Sequence, residues 1–182
     1  MGAHAVKGLL ALACAVALAV ALAPLAASSP TAASREQKAM TALEIDLLQQ
    51  LNAIRAAHGL ASLRPSDALA AAADQHSREM GDDGYFDHNS ADGTSFSSRI
   101  AHFYPAVGRS EWSVGENLLW YSPTVGAGSV ASLWMHSPEH RANILDPRWR
   151  EIGIGAVHLP SAAGAYRHLQ VTIVTADFGV RR

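Results

Sequence analysis

Cysteine is almost missing from this chain. Cys14 is the only one in 182 residues, so no disulfide can close within it, and whatever fold it adopts is held by its core alone. Cys14 sits inside an apolar run that continues well past it. A lipid-modified cysteine ends such a run, so Cys14 is read as a small hydrophobe that leaves with its segment. Charge is also scarce and balanced: 14 Lys and Arg stand against 16 Asp and Glu, a net charge of −2. The two signs are interspersed, with no basic stripe for nucleic acid and no acidic tail for a charged partner. The chain lacks an internal repeat, a glycine loop that would cradle phosphate, and any visible nucleophile–base–orienter set.

What is present begins with a leader. Lys7 carries the one fixed positive charge of the first residues, Gly8 to Ala23 is almost wholly apolar, and small residues follow from Ala26 to Ser34. That order is the order of a secretory signal peptide. The expected division is a signal segment at 1–27, a polar linker at 28–40 and one domain at 41–182. An uncleaved anchor is the alternative, since Gly8 to Ala27 is close to the ~20 residues that cross a bilayer. A membrane is a partner of this chain only on that alternative.

Thr41 and Glu44 form a T-x-x-E capping box, and Leu43, Leu47, Leu51 and Ile54 follow at helical spacing up to Gly59. Ser66 starts a second helix, closed by Gly81 and Gly84, with Leu69, Ala73, His76 and Met80 on one side. Ser95 to Phe103 and Gly126 to Met135 are two more helical segments. Ser137-Pro138 restarts the chain as N-cap and first helical residue. Val114 to Leu118, Glu151 to His158 and Tyr166 to Phe178 read as strands, the last two joined as a hairpin through Pro160 to Gly164. Helices come first and strands cluster late, which favours α+β over a doubly wound parallel sheet.

Three separated segments concentrate polar chemistry: Tyr85 to Gly93, Gly115 to Leu118, and Trp134 to Leu145. They offer imidazoles at His88 and His140 and a carboxylate at Glu116. Two imidazoles and a carboxylate suit a zinc-like divalent cation with an open position, and equally suit acid–base work near neutral pH. A purely structural Glu116–His140 pair is the third reading. The superficial His136, Glu139, His140 likeness to a zinc-protease helix is rejected: the Glu is misplaced, and Pro138 disfavours a helical Ser137. His76 is read as a hydrogen-bonded core histidine, and His58, His102, His158 and His168 as surface residues. Asn117, Arg141 and Asn143 are read as loop-holding, Trp134 as core, and Ser90 and Ser137 as turn and cap residues.

Phe86-Asp87-His88-Asn89-Ser90 with Asp92-Gly93, Gly115-Glu116-Asn117-Leu118, and Trp134-Met135-His136-Ser137-Pro138-Glu139-His140-Arg141-Ala142-Asn143-Ile144-Leu145 together resemble the CAP superfamily. That superfamily comprises cysteine-rich secretory, antigen 5 and pathogenesis-related proteins, and the likeness is to its bacterial SCP-like extracellular branch. Leu51-Asn52 with Arg55, Leu63, Glu151 to Gly155 and Phe178-Gly179 fit in order, so the resemblance runs from about Thr41 to Gly179. It implies an α-β-α sandwich with an antiparallel sheet between helix layers, and a cleft lined by two His and two acids. His88 and His140 match the family histidines and Glu116 the Glu of G-E-N. The second acid, expected after Trp134, is replaced by Met135, and Glu139 occupies the small-residue slot before His140.

The expectation is therefore an exported binding module. Its cleft (His88, Glu116, Asn117, His140) takes zinc or another divalent cation through His88, Glu116 and His140, or a small apolar, lipid or cell-envelope ligand. Ser137, Pro138 and Asn143 hold it in shape. A cleft hydrolase using Glu116 or a histidine as base, and an envelope-anchored structural protein, are the alternatives.

Overall fold

The computed structural model describes residues 40–182. The signal segment, Cys14 and all but the last residue of the expected linker lie outside the described residues.

Helix α1 (Ala42–Ala57) opens on the expected capping box: Thr41 N–H donates to Glu44 Oε2 at 2.7 Å, while Glu44 N–H donates to Thr41 Oγ1 at 3.4 Å. Leu47, Leu51 and Arg55 recur every four residues and are fully buried, forming one inward stripe. Helix α2 (Asp67–Asp83) is capped by Ser66 and ends at Gly84, whose φ of +72° a side chain would resist. Gly81 does not close this helix. It lies within α2, where a Cβ would come 2.4 Å from Leu159 Cδ1. Helix α3 (Phe96–Phe103) starts from Ser95 as expected.

The sheet has four strands: β1 (Arg64–Pro65), β2 (Trp112–Tyr121), β3 (Glu151–Ala162) and β4 (Leu169–Arg181), in the order β1-β3-β4-β2. β3–β4 and β4–β2 are antiparallel, but β1 runs parallel to β3, so the sheet is mixed rather than wholly antiparallel. A two-residue strand is too short to show alternation. It is held by bonds from its neighbours, Arg64 N–H to Arg150 O and Ser66 N–H to Ile152 O, and Pro65 falls between them where no N–H is required. The β3–β4 turn also lies later than the expected Pro160 to Gly164. The strand continues past Pro160 through a register irregularity between Leu159 and Ala162, and Tyr166 belongs to a 3₁₀ turn, Gly164–Tyr166.

Helix α4 (Ala127–His136) and helix α5 (Pro138–Ile144) are separate, broken at an extended Ser137. Ser137 is at the cap position, but its hydroxyl makes no cap hydrogen bond, contrary to expectation. The start of α5 comes instead from Pro138 and from the Ser137 carbonyl accepting Arg141 N–H at 2.9 Å.

The two faces of the sheet carry different helices. Ile152, Ile154, Val174, Ala176 and Phe178 pack with Leu47 and Leu51 of α1 and Trp134 of α4. On the other face, Met80 of α2 shares a cluster with Leu118, Val171 and Ile173, and Leu69 joins Ile100 and Tyr104 beside α3. The result is a three-layer α-β-α sandwich. Gly153 and Gly155 let α2 lie directly on β3: added Cβ atoms would stand 2.0 Å from Ala70 N and 2.3 Å from Asp74 N. Backbone cannot yield to such a clash. Gly155→Ala is expected to cost about 3 kcal/mol in chemical denaturation. Gly128→Ala in α4, where a Cβ meets nothing within 4 Å, should stabilise by about 0.5 kcal/mol.

Candidate functional site

Between α2 and α3 the chain forms a loop that carries His88, and three buried or half-buried side chains pin it. His76 of α2 is fully buried and its Nε2–H donates to Asp87 O at 2.9 Å. Glu79, one turn on, accepts from Ser90 Oγ and from Ala91 N–H, each at 3.1 Å. Arg99 of α3 donates from Nη1 to His88 O at 2.9 Å. The loop is thus fixed on both sides of His88 by groups that water does not reach freely.

The His88 ring leans on Glu116 of β2. A carboxylate can only accept, so Nδ1–H donates to Oε1, at 2.7 Å. The second Glu116 oxygen is taken by Arg99 Nη2. The exposures differ sharply: the Glu116 side chain is 1 % exposed and that of Arg99 3 %, while His88 is 51 % exposed. A buried ion pair therefore supports an imidazole that faces solvent. The Glu116 hydrogen bond raises the His88 pKa above the ordinary imidazole value of 6.5.

Sequence reasoning missed two members of this cluster, Arg99 and Asp177. Asp177 of β4 is the register partner of Glu116 and is fully buried, and no donor among the described residues reaches either of its oxygens. Burial first, then the Glu116 charge, pushes its carboxyl well above the usual carboxylate range. One buried guanidinium faces two carboxyl groups, and burial disfavours the charged form of Asp177. Both residues had a signal. Arg99 sits beside Ile100 on a short helix with an apolar face, and Asp177 interrupts the apolar alternation of β4; a charge in either setting needs a partner.

The opposite wall is α5. His140 lies half-buried there, and burial first, then the neighbouring His88, lowers its pKa below 6.5. Asn117 of β2 donates from Nδ2 to His140 O at 3.1 Å, and Asn143 donates from Nδ2 to Asn117 Oδ1 at 3.0 Å. Trp149 Nε1–H closes the set on Asn143 O at 3.0 Å. Arg55 of α1 ties the end of α5, donating from Nη1 to Ile144 O at 2.7 Å and Asp146 O at 3.0 Å. His136 is exposed at the end of α4, its Nδ1 on Ser132 O, apart from His140.

Between the two walls lies an open cleft of about 390 Å³, lined among others by His88, Glu116, Asn117, His140 and Trp149. All four cleft residues expected from the sequence meet there, with Asn143 lining the cleft and Ser137 and Pro138 setting the start of α5. Among the described residues, no group of three or more His, Cys, Asp or Glu gathers as a metal-binding cluster. The donor set facing solvent is two imidazoles, with Glu116 engaged by His88 and Arg99.

An α-β-α sandwich with a two-histidine cleft at its sheet edge defines the class. Residues 48–178 match the model of the cysteine-rich secretory protein family, CAP, and the chain belongs to that family. It is 34 % identical over 119 residues to the Bacillus subtilis protein YkwD, covering 65 % of this chain and 44 % of that one. The chain spans less than half the length of the curated relatives it matches. Among solved structures, an outer surface protein from Borrelia burgdorferi superposes with a TM-score of 0.58 at 19 % identity, covering 78 % of this chain and 97 % of that one. An extracellular protein containing an SCP domain from Bacillus anthracis gives 0.53 at 26 % identity, covering 80 % and 45 %.

Three outcomes are expected from the site. In an NMR pH titration the cleft imidazoles should move in opposite directions from 6.5, His88 upward and His140 downward. Arg99→Leu should cost about 3–5 kcal/mol in chemical denaturation, because Glu116 and Asp177 then share a buried site without a cation. Arg148→Leu, which removes a 60 % exposed side chain from its pair with Asp146, should cost under about 1 kcal/mol.

Proposed function

We propose that this CAP domain works outside the cytoplasm as a binding module whose cleft takes a divalent cation, zinc being the simplest, through His88 and His140. The observation that carries this reading is the exposed His88 ring, fixed by a buried carboxylate and sharing a cleft with His140. In its neutral form, with Nδ1–H donated to Glu116, His88 presents Nε2 as a lone pair, the arrangement in which a carboxylate orients a metal-binding imidazole. His140, with its lowered pKa, is neutral at neutral pH and available as a second nitrogen donor. A cation held there would supply Lewis acidity toward a bound ligand. Glu116 acts by orienting His88. As a general base it is ill placed, because both its oxygens are engaged and its side chain is almost wholly buried. Placement outside the cytoplasm draws support from the leader read in residues 1–27 and from the likeness to the extracellular Bacillus anthracis protein.

Calorimetric titration of the purified protein with zinc tests the reading. Uptake is expected at neutral pH and should fall at mildly acid pH, because protonated imidazole cannot ligate. His88 protonates first as pH falls, since Glu116 holds its pKa up. His88→Ala and His140→Ala should each weaken binding, and the double variant should abolish it. Equal uptake by the wild type and the double variant would assign binding to the surface histidines and leave the cleft structural.

A further inference from the structure

The cleft runs along a free sheet edge. In the order β1-β3-β4-β2, strand β2 is terminal, and Ser113, Val114, Gly115, Glu116 and Asn117 line the cleft in unbroken succession. Main-chain groups of an antiparallel edge strand alternate, one residue bonding its neighbour and the next facing outward. Leu118 fixes the phase. Its carbonyl accepts the Trp134 indole N–H at 3.0 Å, from α4, so Leu118 turns away from β4. Val114 and Glu116, two and one alternations upstream, turn the same way.

The far side of the sheet gives the same phase. Ile152 directs its carbonyl to Ser66, away from β4. Its register partner Phe178 therefore bonds toward β2, where it pairs with Gly115. Gly115 is thus committed to β4, which again leaves Val114 and Glu116 facing the cleft. Each presents one N–H and one C=O, and the two residues are separated by about 7 Å along the strand.

Natural sheets blunt such an edge with Pro, Lys, a bulge or an inward charge. Strand β2 contains neither Pro nor Lys, and its pairing with β4 is unbroken from Trp112 to Tyr121. Its one charge, Glu116, is held by His88 and Arg99. A row of donors and acceptors at strand spacing is complementary to one chemical partner, another extended backbone.

We infer that the cleft binds an extended peptide segment, added to β2 as a further strand along Val114 and Glu116, between His88 on one side and Asn143 on the other. Trp134 ends the row by occupying the next outward carbonyl, that of Leu118. This inference rests on the reading of the cleft as a binding site and names a ligand class for it. Main-chain pairing gives affinity, and the flanking His88, His140 and Trp149 select among side chains.

The test selects phage-displayed random peptides on the purified full chain, then rescans the best binder with single N-methyl groups. Binding is expected to fall about tenfold at alternate peptide positions only, the worth of one main-chain hydrogen bond. On the protein, Val114→Pro removes an outward N–H that β4 does not use, so the ladder persists. It should weaken binding about tenfold relative to Val114→Ala, which shortens the side chain and keeps that hydrogen bond. Peptides that bind without the two-residue pattern, or equally to both variants, would overturn the inference. So would failure to select any peptide by a sample that still takes up zinc, an outcome that leaves the cation reading standing.

Discussion

The Arg99–Glu116 pair is where burial and exposure are reconciled in this domain. Two charges taken from water cost several kcal/mol each unless neutralised in place, and the pair is retained only with further hydrogen bonds around it. Arg99 supplies these. Its planar fork reaches Glu116, the His88 carbonyl and Ser90 at once, a set that the compact ammonium of lysine could not span. Through these contacts α3, the His88 loop and β2 become one unit. Asp177 behind them adds a second carboxyl without a second cation, and burial pushes its pKa well above the usual carboxylate range.

The wall formed by α5 is built on different chemistry. It uses neutral amides in series: Asn117 on the His140 carbonyl, Asn143 on Asn117, and Trp149 on Asn143. This chain needs the backbone of β2 close by. A Cβ at Gly115 would stand 2.5 Å from Asn143 Oδ1 and 2.9 Å from Trp149 Cζ2, so glycine there is a packing requirement. Arg55 completes the wall from below by satisfying carbonyls at the end of α5, which helix geometry would otherwise leave open. One wall thus holds its imidazole by charge and the other by amide hydrogen bonds, and the cleft lies where the two helix layers meet the β2 edge.

Much of this is legible in the sequence. The capping box at Thr41, the start of α2 at Ser66 and the helical segment opening at Ser95 are local chemistry, and each stands where expected. His88, Glu116, Asn117 and His140 emerge through motif resemblance, because spacing alone cannot show that residues so far apart in sequence meet. What escapes is non-local or marginal. Strand β1 exists only through bonds to Arg150 and Ile152. The β3–β4 turn is placed by tertiary anchors such as Tyr166, whose hydroxyl donates to Tyr85 O at 2.7 Å, and these override Pro160 as a turn signal. Arg99 and Asp177 escape because polar motifs mark residues that can face a ligand, while the groups that hold those residues are buried among apolar neighbours.

The absence of disulfides bears on how the site keeps its shape. Helix α2 lies on β3 at a distance that only Gly153 and Gly155 permit, so its position is set by backbone contact rather than by side chains able to change rotamer. His76 and Glu79, which anchor the His88 loop, extend from that same helix. The rigidity of the sandwich is thereby transmitted to His88 through two short steps, with no covalent link. Glu139 faces the cleft from outside this network, and among the described residues no hydrogen bond that holds either wall runs to its side chain. Substitution there can alter what the cleft accepts without releasing His88 or His140, because the buried pair and the amide series that hold these two imidazoles remain intact.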